Sequence, residues 1–272
     1  MDIINAVLTA FFNLIFMPFK HLDPVWPMLA ISFVTGILML FVFKATSDQK
    51  GIKRAKNLVK GHFLAIRLYK DDISLMFDTM KNILLSNLLY MKQSLRPMLF
   101  LLIPMGIVLI QIGARYEHRP LRIGESTVLS LKLNDDVQLD QVRLDLPEGL
   151  SLEIPPVRVD AKKEISWRIK ANVSGVFTLA FKYHGQVVDK QLAVIDELVP
   201  LSAEIAGNNL GVTVMNPNEH SLTEASFASL VSVVYPAREF EFLGMETHWL
   251  VAFFVFSMVA AFSFKGVLGV EV

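Results

Sequence analysis

Three basic residues, Lys44, Arg96 and Lys265, each stand at the end of an uncharged apolar run, where a cation can meet headgroup phosphates or the polar flank of a neighbouring chain. Inside or beside the same runs lie Ser32, Thr35, Gln93, Ser94, Gln111, Ser257 and Ser263, which would line a partly polar groove if their helices faced one another. The chemistry open to such a set is solvation rather than bond-making. A charged group at mid-bilayer costs at least about 2.5–3.5 kcal/mol on insertion scales, and a polar groove lowers that cost. The simpler alternative for each cation is snorkelling to headgroups. Covalent chemistry has no foothold. There is no nucleophile elbow, phosphate loop, HExxH or paired metal-ligand spacing, the six histidines are scattered, and cysteine is absent. No enzyme activity, cofactor or metal site is expected, and Glu117-His118-Arg119 is read as a membrane-surface cluster.

The elements that must position these residues follow from composition. The 272 residues are 53% hydrophobic with a mean hydropathy of +0.46, too apolar for an ordinary soluble domain, yet 19% charged. The two facts fit a chain divided between membrane and water. The zero net charge hides a division: 44–96 carries eleven Lys/Arg against four Asp/Glu, whereas 115–246 carries thirteen against nineteen. Spans are expected at 24–44, at 96–115 with Pro104 kinking the helix, and at 246–265. Short basic loops stay in the cytoplasm. The loop at 45–95 and the tail at 266–272 are therefore placed inside, and the N-terminus and 116–245 outside, in a multi-pass protein of the cytoplasmic (inner) membrane.

Residues 1–19 form an apolar helix with a narrow polar stripe, Asp2, Asn5, Thr9 and Asn13. An interfacial amphipathic helix on the outer leaflet fits it, with the stripe facing water; the alternative is a fourth span or an uncleaved signal-like segment. The basic loop reads as a helical hairpin. One helix carries Ile52, Ala55, Leu58, Val59, Phe63 and Ile66 near one face, Tyr69–Asp72 makes the turn, and a second helix over about 73–94 carries Met76, Phe77, Met80, Ile83, Leu84, Leu88 and Met91. Most of these apolar residues are expected to be hairpin core. Methionine also suits a surface that accepts varied hydrophobic segments, and Met76, Met80 and Met91 are its candidates.

From residue 116 the hydrophobic period changes to two. Alternation at 127–133, 142–146, 164–170, 176–183 and 186–194, with turns at Pro147-Glu148-Gly149, Ser174-Gly175 and His184-Gly185, predicts an all-β, immunoglobulin-like sandwich over about 120–199 with Trp167 in its core. Residues 200–232 read as loop with a strand or short helix, and 233–244 as a strand feeding the last span.

This order of outer helix, inward span, basic cytoplasmic hairpin and two more spans resembles the three-helix core of the YidC/Oxa-type insertase superfamily. The stretch Met91-Lys92-Gln93-Ser94-Leu95-Arg96-Pro97-Met98-Leu99-Phe100, followed by Leu102-Ile103-Pro104, is similar to the hairpin-to-span junction of archaeal YidC-like proteins, relatives of the third subunit of the ER membrane protein complex. His248-Trp249-Leu250 and Phe264–Val270 resemble their last span and short basic tail. The resemblance covers 1–115 and 245–272. It implies a membrane α-helical fold with three transmembrane helices and a cytoplasmic hairpin, here with an inserted all-β extracytoplasmic domain. It also implies a hydrophilic groove open to cytoplasm and lipid that passes hydrophobic client segments into the bilayer. The expected partners are membrane lipids and nascent or hydrophobic membrane-protein clients, with a ribosome or membrane complex as a further one; no specific nucleic-acid motif is present. The family's basic groove residue has no counterpart deep in the first span, where Lys44 stands at the end. The rival reading is a non-catalytic scaffold or envelope-complex subunit that binds a partner through its outer sandwich.

Overall fold

A computed structural model describes residues 2–68, 73–207, 209–223, 225–242 and 244–271. The turn at 69–72 and the side chains of Asp2, Ile66, Met76, Gln93 and Ser94 lie outside what it describes. The chain divides into two compact units, Met1–Pro27 with Leu109–Leu250 and Met28–Val108 with Val251–Val272.

Four helices come first: α1 (Asp2–Phe16), extended by a 3-10 turn at Met17–Phe19, then α2 (Val25–Thr46), α3 (Gln49–Leu68) and α4 (Ile73–Tyr116). A last helix, α6 (Trp249–Leu268), closes the chain after the short α5 (Leu210–Met215). Three of them, α2, α4 and α6, are long and apolar enough to cross a membrane. At about 1.5 Å per residue, α2 with 22 residues and α6 with 20 match a hydrocarbon core of about 30 Å. α4 has 44 residues, which makes it about 66 Å long, more than twice that thickness. The change from charged to uncharged residues predicts a boundary between 95 and 96, from a hairpin helix to a span. The backbone instead runs helical through Pro97 and Pro104, each of which removes one amide from the ladder.

The β-sheet region begins after α4. Strands β1 (Ser126–Leu133), β3 (Leu150–Val159), β4 (Glu164–Ala171), β7 (Glu204–Ala206) and β8 (Ala228–Val233) form one sheet in the order β3-β4-β1-β8-β7. β2 (Arg143–Asp145), β5 (Gly175–Tyr183) and β6 (Gln186–Val194) form a second, in the order β2-β5-β6. Alternate residues of both sheets meet in one core that includes Leu129, Leu131, Ile165, Ile169, Leu179 and Leu192. Trp167 sits in that core, as its alternation required, with its ring 5.4 Å from that of Phe181. β5 and β6 turn at His184 and Gly185, both at positive φ (44° and 83°), the geometry of a two-residue hairpin loop that glycine at the second position relieves. The sheet also recruits residues beyond 199. β8 pairs with the central strand β1 through Leu129↔Val233 and Leu131↔Val231. A small hairpin, β9 (Phe240–Phe242) with β10 (Met245–Thr247), precedes α6.

Two of the edge strands, β3 and β6, are guarded. β3 carries Pro155-Pro156 within the second of its two register shifts, which unfits it for pairing with another strand. On β6, the Gln191 amide donates to Glu219 Oε2, the Ala193 amide to the Tyr235 hydroxyl, and the Ala193 carbonyl accepts from Leu121.

Candidate functional site

In the unit holding α2, α3 and most of α4, α2 and α6 touch through small residues. A Cβ added at Gly36 would lie 2.3 Å from the Ser257 carbonyl oxygen and 3.1 Å from Ala260 Cβ, so only glycine permits the approach. Ser32, Thr35 and Ser257 are all buried, and Ser257 Oγ donates back to Phe254 O at 3.1 Å within its own helix. These three were expected along an open polar groove; Ser257 sits instead at a close helix crossing and Ser32 and Thr35 are enclosed. Ser263 is exposed and bonds to Val259 O of its own turn. The sequence signal for the crossing is the small-residue spacing Ser32–Gly36 opposite Ser257–Ala260, a pattern that allows helix backbones to approach closely.

The cations are distributed unevenly. Lys44 Nζ donates to the Leu268 carbonyl at 2.6 Å, which joins the ends of α2 and α6 and places a positive charge on the C-terminal carbonyls of α6. Nearby the Glu271 amide donates to Gln49 Oε1, and Lys56 lies 3.7 Å from the Glu271 carboxylate. Lys265 is exposed over the Phe262 ring, and Arg96 is exposed on α4.

The first half of α4 departs most from expectation. Phe77, Met80, Leu84, Leu88, Met91 and Leu95 are spaced 3, 4, 4, 3 and 4 along one helix face, and each is between 51% and 65% exposed. Phe77, Met80, Leu84, Leu88 and Met91 belong to the set expected to be mostly hairpin core, and all five are exposed instead. α3 buries Ile52 and Ala55, but Leu58, Phe63 and Leu64 are exposed too. The amphipathic period is real, and what covers the apolar face is not a facing helix among the described residues.

In the other unit, the polar stripe of α1 turns toward the protein and not toward water. Asn5 Nδ2 donates to Thr213 O at 3.2 Å and Thr9 Oγ1 to Pro217 O at 3.4 Å. Gln111 Nε2 donates to Thr9 Oγ1, and the buried Arg115 donates to the Gln111 carbonyl and side-chain oxygens and to Asn13 Oδ1. Its guanidinium also lies 4.8 Å from the Phe16 ring centroid. Gln111, expected in the groove, belongs to this chain of hydrogen bonds. The outward face of α1 is apolar, with Val7, Phe11, Leu14 and Met17 exposed. Periodicity showed that α1 has two faces, but the partner of the polar one lies about two hundred residues downstream.

Two ionised groups of the β-sheet region are unusual. Lys190 is fully buried, and its ammonium donates to Ser202 O and to the Glu219 carboxylate. Burial pushes its pKa below the ordinary lysine value, and Glu219 opposes that shift. Arg119 makes a two-pronged bond to Glu125 at 2.8 and 2.9 Å, which together with the Arg122 amide holds the Glu125 carboxyl down at about 2. Among the described residues no group of three His, Asp or Glu side chains is placed to hold a metal.

No family model, curated protein or solved structure matches this chain.

Proposed function

We propose that the chain is a membrane protein insertase or intramembrane chaperone of the YidC/Oxa type. In this reading α2, α4 and α6 cross the cytoplasmic membrane, 44–96 and the C-terminus lie in the cytoplasm, and the immunoglobulin-like domain lies outside. The observation that carries it is the exposed stripe from Phe77 to Leu95. If the C-terminal half of α4 spans the bilayer, the first half projects into water, because the helix is about 66 Å long. Covering each large apolar side chain there contributes about 1.5–3 kcal/mol, so the stripe calls for an apolar occupant. A hydrophobic client segment supplies one, and the same unbroken helix leads it to the bilayer surface. The eleven basic residues of 44–96 favour the cytoplasmic side and the headgroups there.

Photo-crosslinkers at Met80 and Met91, both exposed, test this during synthesis of short-tailed membrane proteins. Adducts with nascent apolar segments are expected from both positions and not from Lys50, at the start of the basic helix. Adducts with one fixed membrane partner and none with nascent chains would reject the insertase reading. That outcome would favour the scaffold, for which one feature speaks: a cavity of about 810 Å³ opens beside Val187 and Asp189 on the edge strand β6.

A further inference from the structure

Residues 117–119 and 236–238 are zipped together ahead of the β-sheet region. His118 bridges Ala237, the Arg119 amide donates to Pro236 O and the Arg238 amide to Glu117 O. This brings Arg119 and Arg238 to the wall of a cavity of about 360 Å³, closed on other sides by 20–24 and 195–198. Its charges are mixed, and some are already spent. Lys20 pairs with Glu197 at 2.8 Å, Arg119 is taken up by Glu125, and Asp23 accepts from the Val25 amide that opens α2. The side chains of Arg122, Arg238 and Asp196 line the same space with no hydrogen bond among the described residues, and Arg238 Nε is buried without a partner. The half-buried Arg238 guanidinium is held below its ordinary pKa first by burial and then by the nearby Arg119 and Arg122, with Tyr116 and Asp196 opposing. Two free guanidiniums and one free carboxylate in a single cavity ask for a ligand with an anion and a cation a few bonds apart.

The depth of the cavity favours a lipid. Leu22 and Trp26, flanking Asp23 and Pro24, are both exposed, as is the apolar face of α1 that precedes them. An aromatic residue beside cations at a helix start marks the headgroup level of a bilayer.

We infer that this cavity binds the headgroup of a zwitterionic phospholipid with a primary amine, phosphatidylethanolamine, with its phosphate on Arg122 and Arg238 and its ammonium on Asp196. A headgroup that carries the phosphate but no cation leaves Asp196 without a partner. A quaternary ammonium offers Asp196 no N–H donor. In the orientation proposed above this lipid belongs to the outer leaflet; the site itself does not rest on that orientation.

The test uses the full chain in detergent micelles, titrated with phosphatidylethanolamine, phosphatidylglycerol or phosphatidylcholine, with bound lipid counted by native mass spectrometry. One phosphatidylethanolamine is expected to be retained in preference to the other two. Arg122→Gln and Asp196→Asn, both at exposed side chains, are each expected to weaken retention about tenfold, as is Arg238→Gln, while Arg54→Gln on α3 leaves it unchanged. Unchanged thermal midpoints for R122Q and D196N would show that the fold is kept. Equal retention of all three lipids, or unaltered retention in R122Q and D196N, would overturn the site. So would displacement by soluble glycerophosphoethanolamine at the concentration at which the lipid binds, since the ligand would then be a soluble one. Micelles have no sidedness, so orientation is read separately, from labelling of Val187→Cys in a chain with no other cysteine, and client crosslinking fails or succeeds independently of both.

Discussion

Arg115 donates to Asn13 Oδ1 across 2.6 Å and thereby ties the end of α4 to α1. The guanidinium is fully buried, and the acceptors around it are amide and carbonyl oxygens with no carboxylate. A buried charge held by neutral dipoles carries a large desolvation cost, which its removal relieves, but removal also strips the buried Gln111 and Asn13 oxygens of their donor. Arg115→Met, which keeps most of the volume, is therefore expected to lose about 1–3 kcal/mol of stability, read from the thermal midpoint of the detergent-solubilised protein. Arg115→Ala, which also empties the space beside Phe16, is expected to lose about 2–5 kcal/mol. Equal losses in the two variants would mean that the hydrogen bonds, and not the packing, hold α1 in place.

Gly36 offers a sharper steric test. A methyl group there meets the Ser257 carbonyl, a backbone atom that cannot rotate away, so Gly36→Ala must separate α2 from α6. A loss of about 1–3 kcal/mol is expected. Gly106 on α4 has nothing within 4 Å of an added Cβ, so Gly106→Ala should be neutral or gain about 0.4–1 kcal/mol. Thermal midpoints of the two variants, compared in one detergent, separate a packing effect from helix propensity. An unaffected Gly36→Ala contradicts the crossing, and a destabilised Gly106→Ala contradicts the open space around Gly106.

Much of this architecture is legible in the residues because it is local. The uncharged runs of α2 and α6 exceed any ordinary core helix, and the period-two alternation of β1, β4, β5 and β6 survives without an alignment. The turn at His184-Gly185 is carried by residue type alone. What escapes is non-local. β8 is a short run whose strand character comes from pairing with β1 about a hundred residues earlier, and β7 exists only against β8. Arg96 reads as a boundary because the uncharged apolar run begins after it, yet α4 passes through it as one helix. The candidate site shows the same division. The cations Lys44 and Lys265 are visible at the ends of their runs, but the meeting of Lys44 with the last turn of α6 depends on tertiary packing. The apolar stripe on α4 is periodic in the sequence, whereas its exposure depends on what does not pack against it.

The Lys190–Glu219 pair predicts an asymmetry. Removing the Glu219 charge alone, as Glu219→Gln, leaves a buried ammonium with no counter-charge, held only by neutral oxygens such as Ser202 O, and is expected to cost about 3–5 kcal/mol. Lys190→Met with Glu219→Gln removes the charge along with its partner, and the glutamine can still accept from the Gln191 amide. The double variant should be more stable than Glu219→Gln alone. A double-mutant cycle on thermal midpoints reads the difference directly, and purely additive losses would show that the pair is not coupled.

Glu125 predicts a pH dependence of definite sign. Its carboxyl is held at about 2 in the folded chain, against 4.5 for the free group, first by the Arg119 side chain and then by the Arg122 amide. The folded state binds this proton more weakly than the unfolded state, so the ionised pair stabilises the fold above about pH 4.5 and that contribution is lost as pH falls toward about 2. The side chain is a third exposed, so solvent screens the pair and the contribution is modest. Many carboxylates titrate in this window, and the useful quantity is the difference between the wild type and Glu125→Gln. That difference should be largest near neutral pH and shrink steadily through acid. A difference that stays flat from pH 6 to pH 3 would show that the Arg119 contact does not depend on the charge of its partner.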